Sequence, residues 1–267
     1  MIITDIFAVN FYVLTQKQGN IYFISDVHLG APALKNNKER EMLFVRWLDE
    51  IKKDAQALFL MGDIFDFWFE YKKVVPKGYV RLLGKLAELA DAGIEIKYFI
   101  GNHDMWQQNY FEDEIGLKIY RHPIVENING KTFYIGHGDG LGNGDYGYKF
   151  LKLLFRSPIC QFLFRQIPPR IGLLLGSYWS GQSRYLNRNR VNIFKGNDKE
   201  YLIKYSKQYL KSNHIDYFVF GHRHLSLEID LGNNSKYINV GEWMDKKSYA
   251  VLIGDALHLK YFKPSSR

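Results

Sequence analysis

Five short polar motifs in this chain each follow an apolar, β-prone run, and together they hold five of its eight histidines. The motifs are Asp26-Val27-His28, Gly62-Asp63, Gly101-Asn102-His103-Asp104, Gly136-His137-Gly138 and Gly221-His222-Arg223-His224. Carboxylate oxygen, amide oxygen and neutral imidazole together suit divalent ions such as Mn²⁺, Fe²⁺ or Zn²⁺. The residue types therefore indicate a metal site without a thiolate ligand.

The elements before the motifs must bring them together. The preceding apolar runs, which we predict to be strands, are 21–24, 57–61, 96–100, 132–135 and 217–220. Sites in α/β folds form at the carboxyl ends of strands, and the motif glycines permit tight turns and close backbone approach. Any one motif could be an ordinary turn, but burying all the polar groups together would be costly without a metal. The other histidines, His122, His214 and His258, are expected to be structural or surface residues.

This set of motifs resembles the calcineurin-like metallophosphoesterases, whose pattern runs D-x-H, G-D, G-N-H-D, H-G and G-H-x-H. The resemblance spans about residues 21–243. It implies a four-layer α/β/β/α sandwich that binds two divalent ions. Mn²⁺ is the expected ion, with Fe²⁺ or Zn²⁺ as alternatives. One ion would be held by Asp26, His28 and His224, the other by Asn102, His137 and His222, with Asp63 bridging the two.

Two ions about 3.5 to 4 Å apart can share a hydroxide, lower its pKa and clamp the oxygens of a phosphoryl group. The expected reaction is hydrolysis of a phosphoester or pyrophosphate. His103 would protonate the leaving oxygen or stabilise its charge, and Asp104 would orient the His103 imidazole.

The spacing between motifs predicts alternating strands and helices, followed by a run of strands. Helices are predicted over 38–53, with Met42, Val45, Leu48 and Ile51 at three-residue intervals, and over 79–91, with a glycine cap at position 93. Apolar and polar residues alternate over 225–231, and together with a turn at 232–235 this pattern predicts a hairpin. Strands at 237–240, 249–253 and 257–262 are expected to continue it as a meander. The architecture is thus α/β, with two packed sheets flanked by helices.

We divide the chain into an N-terminal extension, residues 1–20, and a single domain, residues 21–267. The extension is expected to be an extra edge strand or a disordered segment, and a misassigned start codon would also explain it. It carries no basic start and does not read as a secretory signal.

A segment of about residues 141–200 interrupts the motif series with mostly helical signal, and we call it the insertion. It holds ten Lys/Arg against three Asp/Glu, so +7 of the chain's net +8 lies there. The insertion is also rich in leucine and phenylalanine. A solvated helical face and ordinary helix packing would explain these features. A helical lid that holds acyl chains and faces an acidic membrane surface is the functional alternative.

The run from Asp139-Gly140-Leu141 through Asp145, Tyr148 and Phe150 resembles the UDP-2,3-diacylglucosamine hydrolases of lipid A synthesis. That resemblance implies a peripheral inner-membrane enzyme on the cytoplasmic face that uses Mn²⁺ to release UMP and 2,3-diacylglucosamine 1-phosphate. The residues implied as substrate contacts are Asp145, Tyr148, Ser180, Arg184 and Arg188. One departure is His103, where the better-known members have Arg.

Two other functions stay open at this point. A nuclease or phosphodiesterase acting on another substrate would use the same metals, with the basic insertion tracking a phosphate backbone. A non-enzymatic interaction scaffold is disfavoured, because every expected ligand is present.

The single cysteine, Cys160, excludes an intrachain disulfide and suits a reducing compartment. No apolar run approaches the roughly 20 residues that span a bilayer.

Overall fold

The computed structural model describes residues 12–13, 19–32, 34–143, 146–191, 193–194 and 196–264, with the backbone alone at 12–13 and 182–191. The strands in chain order are β1 (Tyr12–Val13), β2 (Asn20–Ile24), β3 (Ala55–Leu60), β4 (Glu95–Phe99), β5 (Lys118–Tyr120), β6 (Ile124–Ile128), β7 (Lys131–Gly136), β8 (Tyr217–Phe220), β9 (Ser226–Gly232), β10 (Ser235–Val240), β11 (Ser248–Ile253) and β12 (Ala256–Tyr261). The helices are α1 (Asn37–Ile51), α2 (Val80–Asp91), α3 (Tyr110–Ile115), α4 (Tyr146–Arg156), α5 (Pro158–Arg165), α6 (Pro169–Val191) and α7 (Tyr201–Tyr209).

These strands form two six-stranded mixed sheets, in the orders β12-β11-β2-β3-β4-β5 and β1-β6-β7-β8-β10-β9. Apolar side chains from both sheets interleave between them, including Phe23, Phe59, Phe133 and Val219. The outer face of the first sheet packs against α1 and α2, and that of the second packs against α7. The predicted α/β architecture with two packed sheets flanked by helices is confirmed.

The predicted helices α1 and α2 are present, but α1 buries a different stripe from the one expected. Its buried apolar residues are Phe44, Trp47, Leu48 and Ile51, which follow the i, i+3, i+4, i+7 spacing of one helical face. Met42 and Val45 are only half-buried. A strict three-residue interval drifts around a helix of 3.6 residues per turn, so it could not mark a single buried face. After α2, Gly93 has a φ of 82°, as expected of a glycine that ends a helix.

The predicted meander after residue 225 is wrong in its second half. Strands β9 and β10 form the expected antiparallel hairpin. The chain then turns at Gly241, with a φ of 81°, and crosses to the other sheet, where β11 pairs with both β2 and β12. Alternation along a strand indicates that one face is buried, but it does not indicate which sheet the strand joins.

The topology places the five motifs at one end of the molecule. Strands β2, β3 and β4 are parallel neighbours, and so are β7 and β8 in the other sheet. Each motif begins at or just after the carboxyl end of one of these strands. Parallel strands end at the same edge of a sheet, so the motifs meet where those edges of the two packed sheets lie together.

The insertion between β7 and β8 contains α4, α5 and α6. Phe155 of α4 and Phe164 of α5 pack against Phe69 and Trp106, which lie in loops after β3 and β4. These contacts hold the insertion beside the motif end of the sheets. Of the N-terminal extension, Tyr12 and Val13 pair in parallel with β6.

Candidate metal centre

Seven side chains converge where the strand ends of the two sheets meet, namely Asp26, His28, Asp63, Asn102, His137, His222 and His224. Asp63 lies in the middle, with its Oδ2 atom 3.3 Å from Nε2 of His137 and 3.8 Å from Nε2 of His28. On one side, Nε2 of His224 lies 3.1 Å from Oδ1 of Asp26. On the other side, Nε2 of His137 lies 3.2 Å from the amide oxygen of Asn102. Ligand atoms about 2.1 Å from a shared ion are separated by about 3 to 4 Å, so these distances fit metal coordination.

The Nε2 atoms of His28, His137 and His224 face this centre, and the ring of His137 is held by a hydrogen bond. Nδ1 of His137 lies 2.8 Å from the carbonyl oxygen of Met61, to which it can donate. Nδ1 of His28 lies 3.4 Å from Oδ1 of Asp66, a close approach that does not have hydrogen-bond geometry. Metal-binding histidines commonly have their second nitrogen fixed in this way by a carbonyl or a carboxylate. Oδ1 of Asp26 is buried and receives no hydrogen bond from the described residues, which also suits a metal ligand.

Five of the seven residues have a left-handed backbone, which is uncommon for residues other than glycine. The φ angles are 56° at Asp26, 47° at His28, 54° at Asp63, 66° at His222 and 50° at His224. Such a conformation costs about 1 to 2 kcal/mol per residue. Strained backbone of this kind clusters at functional sites, where the surrounding fold imposes it. Here it turns the side chains at the strand ends toward one another.

Two motif glycines have no room for a side chain. An ideal Cβ on Gly101 would lie 2.1 Å from Oδ1 of Asp63, and one on Gly221 would lie 2.0 Å from Oγ of Ser25 and 2.8 Å from Oδ2 of Asp26. The expected close backbone approach is therefore present at both positions. It allows the loops that carry the motifs to approach one another closely around the Asp26 and Asp63 carboxylates.

The electrostatics of the centre favour positive charge. Burial lowers the pKa of His137, but the contact with the Asp63 carboxylate outweighs burial and raises it to about 10. Burial and the neighbouring charge of His137 lower the pKa of His222 to about 4. Burial raises the pKa of Asp63, but the surrounding histidines outweigh it and hold that pKa well below its usual range. The carboxylates are thus ionised and attract a cation.

His103 lies at the edge of the centre in contact with the insertion. Its Nδ1 lies 2.8 Å from Oγ of Ser180, and the Ser180 hydroxyl donates to Oδ2 of Asp66 at 2.8 Å. A hydroxyl has one proton, so Ser180 must accept from His103, which places the imidazole proton on Nδ1. Burial lowers the pKa of His103 to about 4, so the ring is neutral. Nε2 is then the nitrogen with a free lone pair.

The role expected for Asp104 is wrong in one respect, because its carboxylate does not contact the His103 imidazole. Oδ1 accepts from the backbone N–H of Gly101, and Oδ2 accepts from the N–H of Ile64 and from the Tyr98 hydroxyl. Burial and the charge of Asp63 raise the Asp104 pKa to about 6. Asp104 therefore braces the loops that follow β3 and β4. Instead, Oδ1 of the Asp66 carboxylate lies 3.7 Å from Nδ1 of His103.

Asp66 and Arg40 were not identified from the sequence, although both support the site. Asp66 lies three residues after Asp63, and the repeat of Asp in Asp63-Ile64-Phe65-Asp66 is the signal that could have identified it. Arg40 on α1 donates from Nη2 to the carbonyl oxygen of Val27 at 2.5 Å. It thereby stabilises the turn between Asp26 and His28, but nothing in the local sequence marks this role.

A cleft with mostly apolar walls, which we call the apolar cleft, opens beside Asn102 and His103. Its volume is about 330 Å³, and its other lining residues are Phe67, Met105, Trp106, Tyr148, Leu151, Lys152, Phe155, Gly176, Trp179 and Ser180. Two predicted substrate contacts, Tyr148 and Ser180, are among them. Asp145 lies outside the described residues, as do the side chains of Arg184 and Arg188.

Comparison with known proteins gives matches along most of the chain. A profile of the calcineurin-like phosphoesterases matches residues 19–226. A UDP-2,3-diacylglucosamine hydrolase from Porphyromonas gingivalis is 36% identical over 255 residues, which cover 91% of this chain and 97% of the relative. Another hydrolase of that name, from Pseudomonas fluorescens strain SBW25, is 28% identical over 239 residues, which cover 88% and 92%. A dimetal phosphatase from Danio rerio aligns with a TM-score of 0.45 and 13% identity over 92% of this chain and 96% of that one.

Proposed function

The chain belongs to the calcineurin-like phosphoesterase family and is a hydrolase, and we propose that it cleaves the pyrophosphate of UDP-2,3-diacylglucosamine. The products would be UMP and 2,3-diacylglucosamine 1-phosphate. The observation that carries this proposal is the apolar cleft beside the candidate metal centre. It fits an amphiphilic phosphate ester, the kind of substrate named for the relatives.

Membership of this family implies divalent metal binding, and the ligand assignment is ours. Asp26, His28 and His224 would hold one ion, and Asn102, His137 and His222 would hold the other. Asp63 faces both groups and would bridge them. The oxygen and nitrogen donor set, without thiolate, suits Mn²⁺, Fe²⁺ or Zn²⁺, and we propose Mn²⁺ on the resemblance alone. When bound, such a pair lowers the pKa of water and neutralises charge on a phosphoryl group.

We propose that His103 acts on the leaving oxygen of the substrate during cleavage. Its Nε2 makes no hydrogen bond with the described residues, while Nδ1 is held by Ser180. The negative charge of a phosphoryl substrate would favour the imidazolium form of His103. Nε2 would then donate a proton or a hydrogen bond to the departing oxygen. Asp66 and Ser180 would fix the ring orientation, and Asp104 would act as a structural brace.

The insertion would serve as a lid that binds the acylated half of the substrate. Trp106, Phe155 and Trp179 line the apolar cleft, and the rings of Phe155 and Trp179 stack with centroids 5.9 Å apart. Tyr148 and Ser180 offer polar groups nearer the centre, where sugar or phosphate oxygens would lie. We retain Asp145, Arg184 and Arg188 as proposed substrate contacts on the resemblance alone.

The outer surface of the insertion would rest on a membrane. Leu153, Ile159, Phe162 and Leu174 are each more than 60% exposed, and the insertion carries most of the chain's excess positive charge. Apolar side chains together with basic groups favour an anionic lipid surface. None of the described helices has both the length and the hydrophobicity to cross a bilayer. We propose peripheral association with the cytoplasmic face of the inner membrane on the resemblance and on these exposed side chains, and co-sedimentation with anionic vesicles would test it.

The proposed reaction is tested by incubating the Mn²⁺-loaded protein with UDP-2,3-diacylglucosamine in detergent and quantifying UMP. The Asp63→Ala protein is the matched control, because it removes the proposed bridging ligand. Metal-dependent UMP release that is lost in the control is the expected result. No release, together with cleavage of bis-p-nitrophenyl phosphate, would move the enzyme to another phosphodiester substrate.

A further inference from the structure

A second cleft borders the candidate metal centre on its His137 side, and we call it the basic cleft. Its volume is about 320 Å³, and His137, Gly138 and Asp139 form the part nearest the centre. The apolar cleft instead adjoins Asn102 and His103. Lys152 lines both. The two clefts therefore adjoin different ligand residues of the same centre.

The basic cleft differs from the apolar cleft in charge. Among the described residues, four cationic side chains line it, namely Arg121, Lys149, Lys152 and Arg156, against one carboxylate, that of Asp139. The Asp139 carboxylate is paired with Lys152 at 2.5 Å. Arg121 donates to the carbonyl oxygens of Gln107 and Gln108, and Lys149 to that of Gly142. Carbonyl partners leave the cationic charge uncompensated, so the cleft favours an anion.

Arg156 gives the clearest indication of a ligand. Its guanidinium makes no hydrogen bond or ion pair with any described residue, and its Nε atom is buried. Arg156 is half-buried, and a guanidinium that has lost part of its contact with water favours a carboxylate or phosphate partner, because an unpaired charge away from water is costly. The planar fork of Arg156 could bind two phosphate oxygens at once. A phosphate group is thus the expected partner.

The same cleft has an aromatic wall. Phe99 and Tyr120 stack there with ring centroids 5.0 Å apart and an interplanar angle of 17°. Tyr120 is partly exposed and Phe99 is buried behind it. Nucleobases stack on aromatic side chains of this kind. Cations beside an aromatic surface match the two parts of a nucleotide.

We propose that the basic cleft binds the nucleoside monophosphate half of the substrate, with its phosphate at Arg156 and its base toward Tyr120. The inference rests on the proposed function and gives the substrate a direction. The nucleotide would lie on the His137 side and the acylated sugar on the His103 side. The pyrophosphate then crosses the metal centre, and Lys152 lies beside it where the two clefts meet.

Calorimetric titration of the full-length, Mn²⁺-loaded protein with UMP, uridine and inorganic phosphate tests this assignment. Arg156→Gln should weaken UMP binding at least tenfold, because it removes the guanidinium. The matched control is Arg165→Gln on α5, which removes an exposed charge of the same insertion that lines neither cleft. That variant should bind UMP like the wild type. Arg156→Lys keeps the charge without the fork and should weaken binding at least threefold, so it carries the test if the Gln variant does not fold.

Equal UMP affinity in the wild type and both Arg156 variants would overturn the inference, and so would an equal loss in Arg165→Gln. Inorganic phosphate that binds as tightly as UMP would overturn the nucleoside part of the assignment. The proposed function can fail separately: a protein that does not cleave UDP-2,3-diacylglucosamine could still show Arg156-dependent UMP binding. Conversely, cleavage of that lipid with Arg156-independent UMP binding would overturn only the basic-cleft assignment.

Discussion

Replacing Gly101 with Ala adds one methyl group next to the candidate metal centre and so tests how closely its residues are packed. A Cβ there would overlap Oδ1 of Asp63, whereas no atom of the described residues lies within 4 Å of a Cβ on Gly84 of α2. We predict that Gly101→Ala loses at least one of two bound ions by metal analysis, because the Asp63 carboxylate must move. Gly84→Ala should keep both and gain up to about 1 kcal/mol of stability from its better helix propensity. Full metal content in both variants would contradict the proposed place of Asp63.

His103 should affect turnover without affecting the metals. We predict that His103→Ala lowers kcat by about 10² to 10⁴-fold, the usual range for a general acid or base, while metal content stays at the wild-type value. The exposed His258 provides a control, and its replacement by Ala should leave kcat unchanged. If metal content falls in parallel with kcat in the His103 variant, His103 is a ligand or a structural residue instead.

At the residue scale, the sequence motifs identified the residues that converge. They did not predict the backbone conformation of these residues or the neighbouring side chains that hold them in place. The seven expected ligands lie together because each motif ends a parallel strand. The left-handed backbone at Asp26 and Asp63 was not predictable, since these residues adopt it only when packing imposes it. The Asp104 error has a similar origin. Adjacency to His103 suggested contact between the side chains, but the carboxylate instead turns toward Tyr98 and nearby backbone N–H groups.

At the scale of elements, the insertion should determine preference for long acyl chains. Leu151 of α4 lines the apolar cleft, whereas Leu163 of α5 is exposed and lines neither cleft. We predict that Leu151→Gln raises KM for the diacylated substrate about tenfold, since it places a polar group against the chain, at about 0.8 kcal/mol per buried methylene. The effect should shrink as the acyl chains are shortened. Leu163→Gln is the control in the same kinetic assay, and an equal KM change in both variants would argue against an acyl site.

Some helices and strands could be predicted from the sequence, and others could not. The strands before the motifs were predictable, because continuous apolar runs are typical of strands buried on both faces. Short elements such as α3 and β5 were not identified, because six and three residues show too little periodicity. The crossing from β10 to β11 depends on contacts between distant parts of the chain. Local alternation contains no information about them.

At the scale of the whole molecule, metal binding should stabilise the fold. The strained turns at the centre oppose folding, and ions that bind only the folded centre offset this cost. An ion at 100 times its Kd contributes about 2.7 kcal/mol. We predict that Mn²⁺ raises Tm by about 5 °C or more, as measured by scanning calorimetry, and that EDTA reverses the change. Asp63→Ala should lose most of the increase, and an unchanged wild-type Tm would argue against a site that couples metal to folding.

The most direct test is to titrate the metal-free protein with Mn²⁺ and follow UMP release from UDP-2,3-diacylglucosamine. A two-metal hydrolase should show little activity below one equivalent and reach its maximum at two equivalents per chain. The proposal would be contradicted by full activity at one equivalent, by activity without metal, or by two tightly bound equivalents that release no UMP.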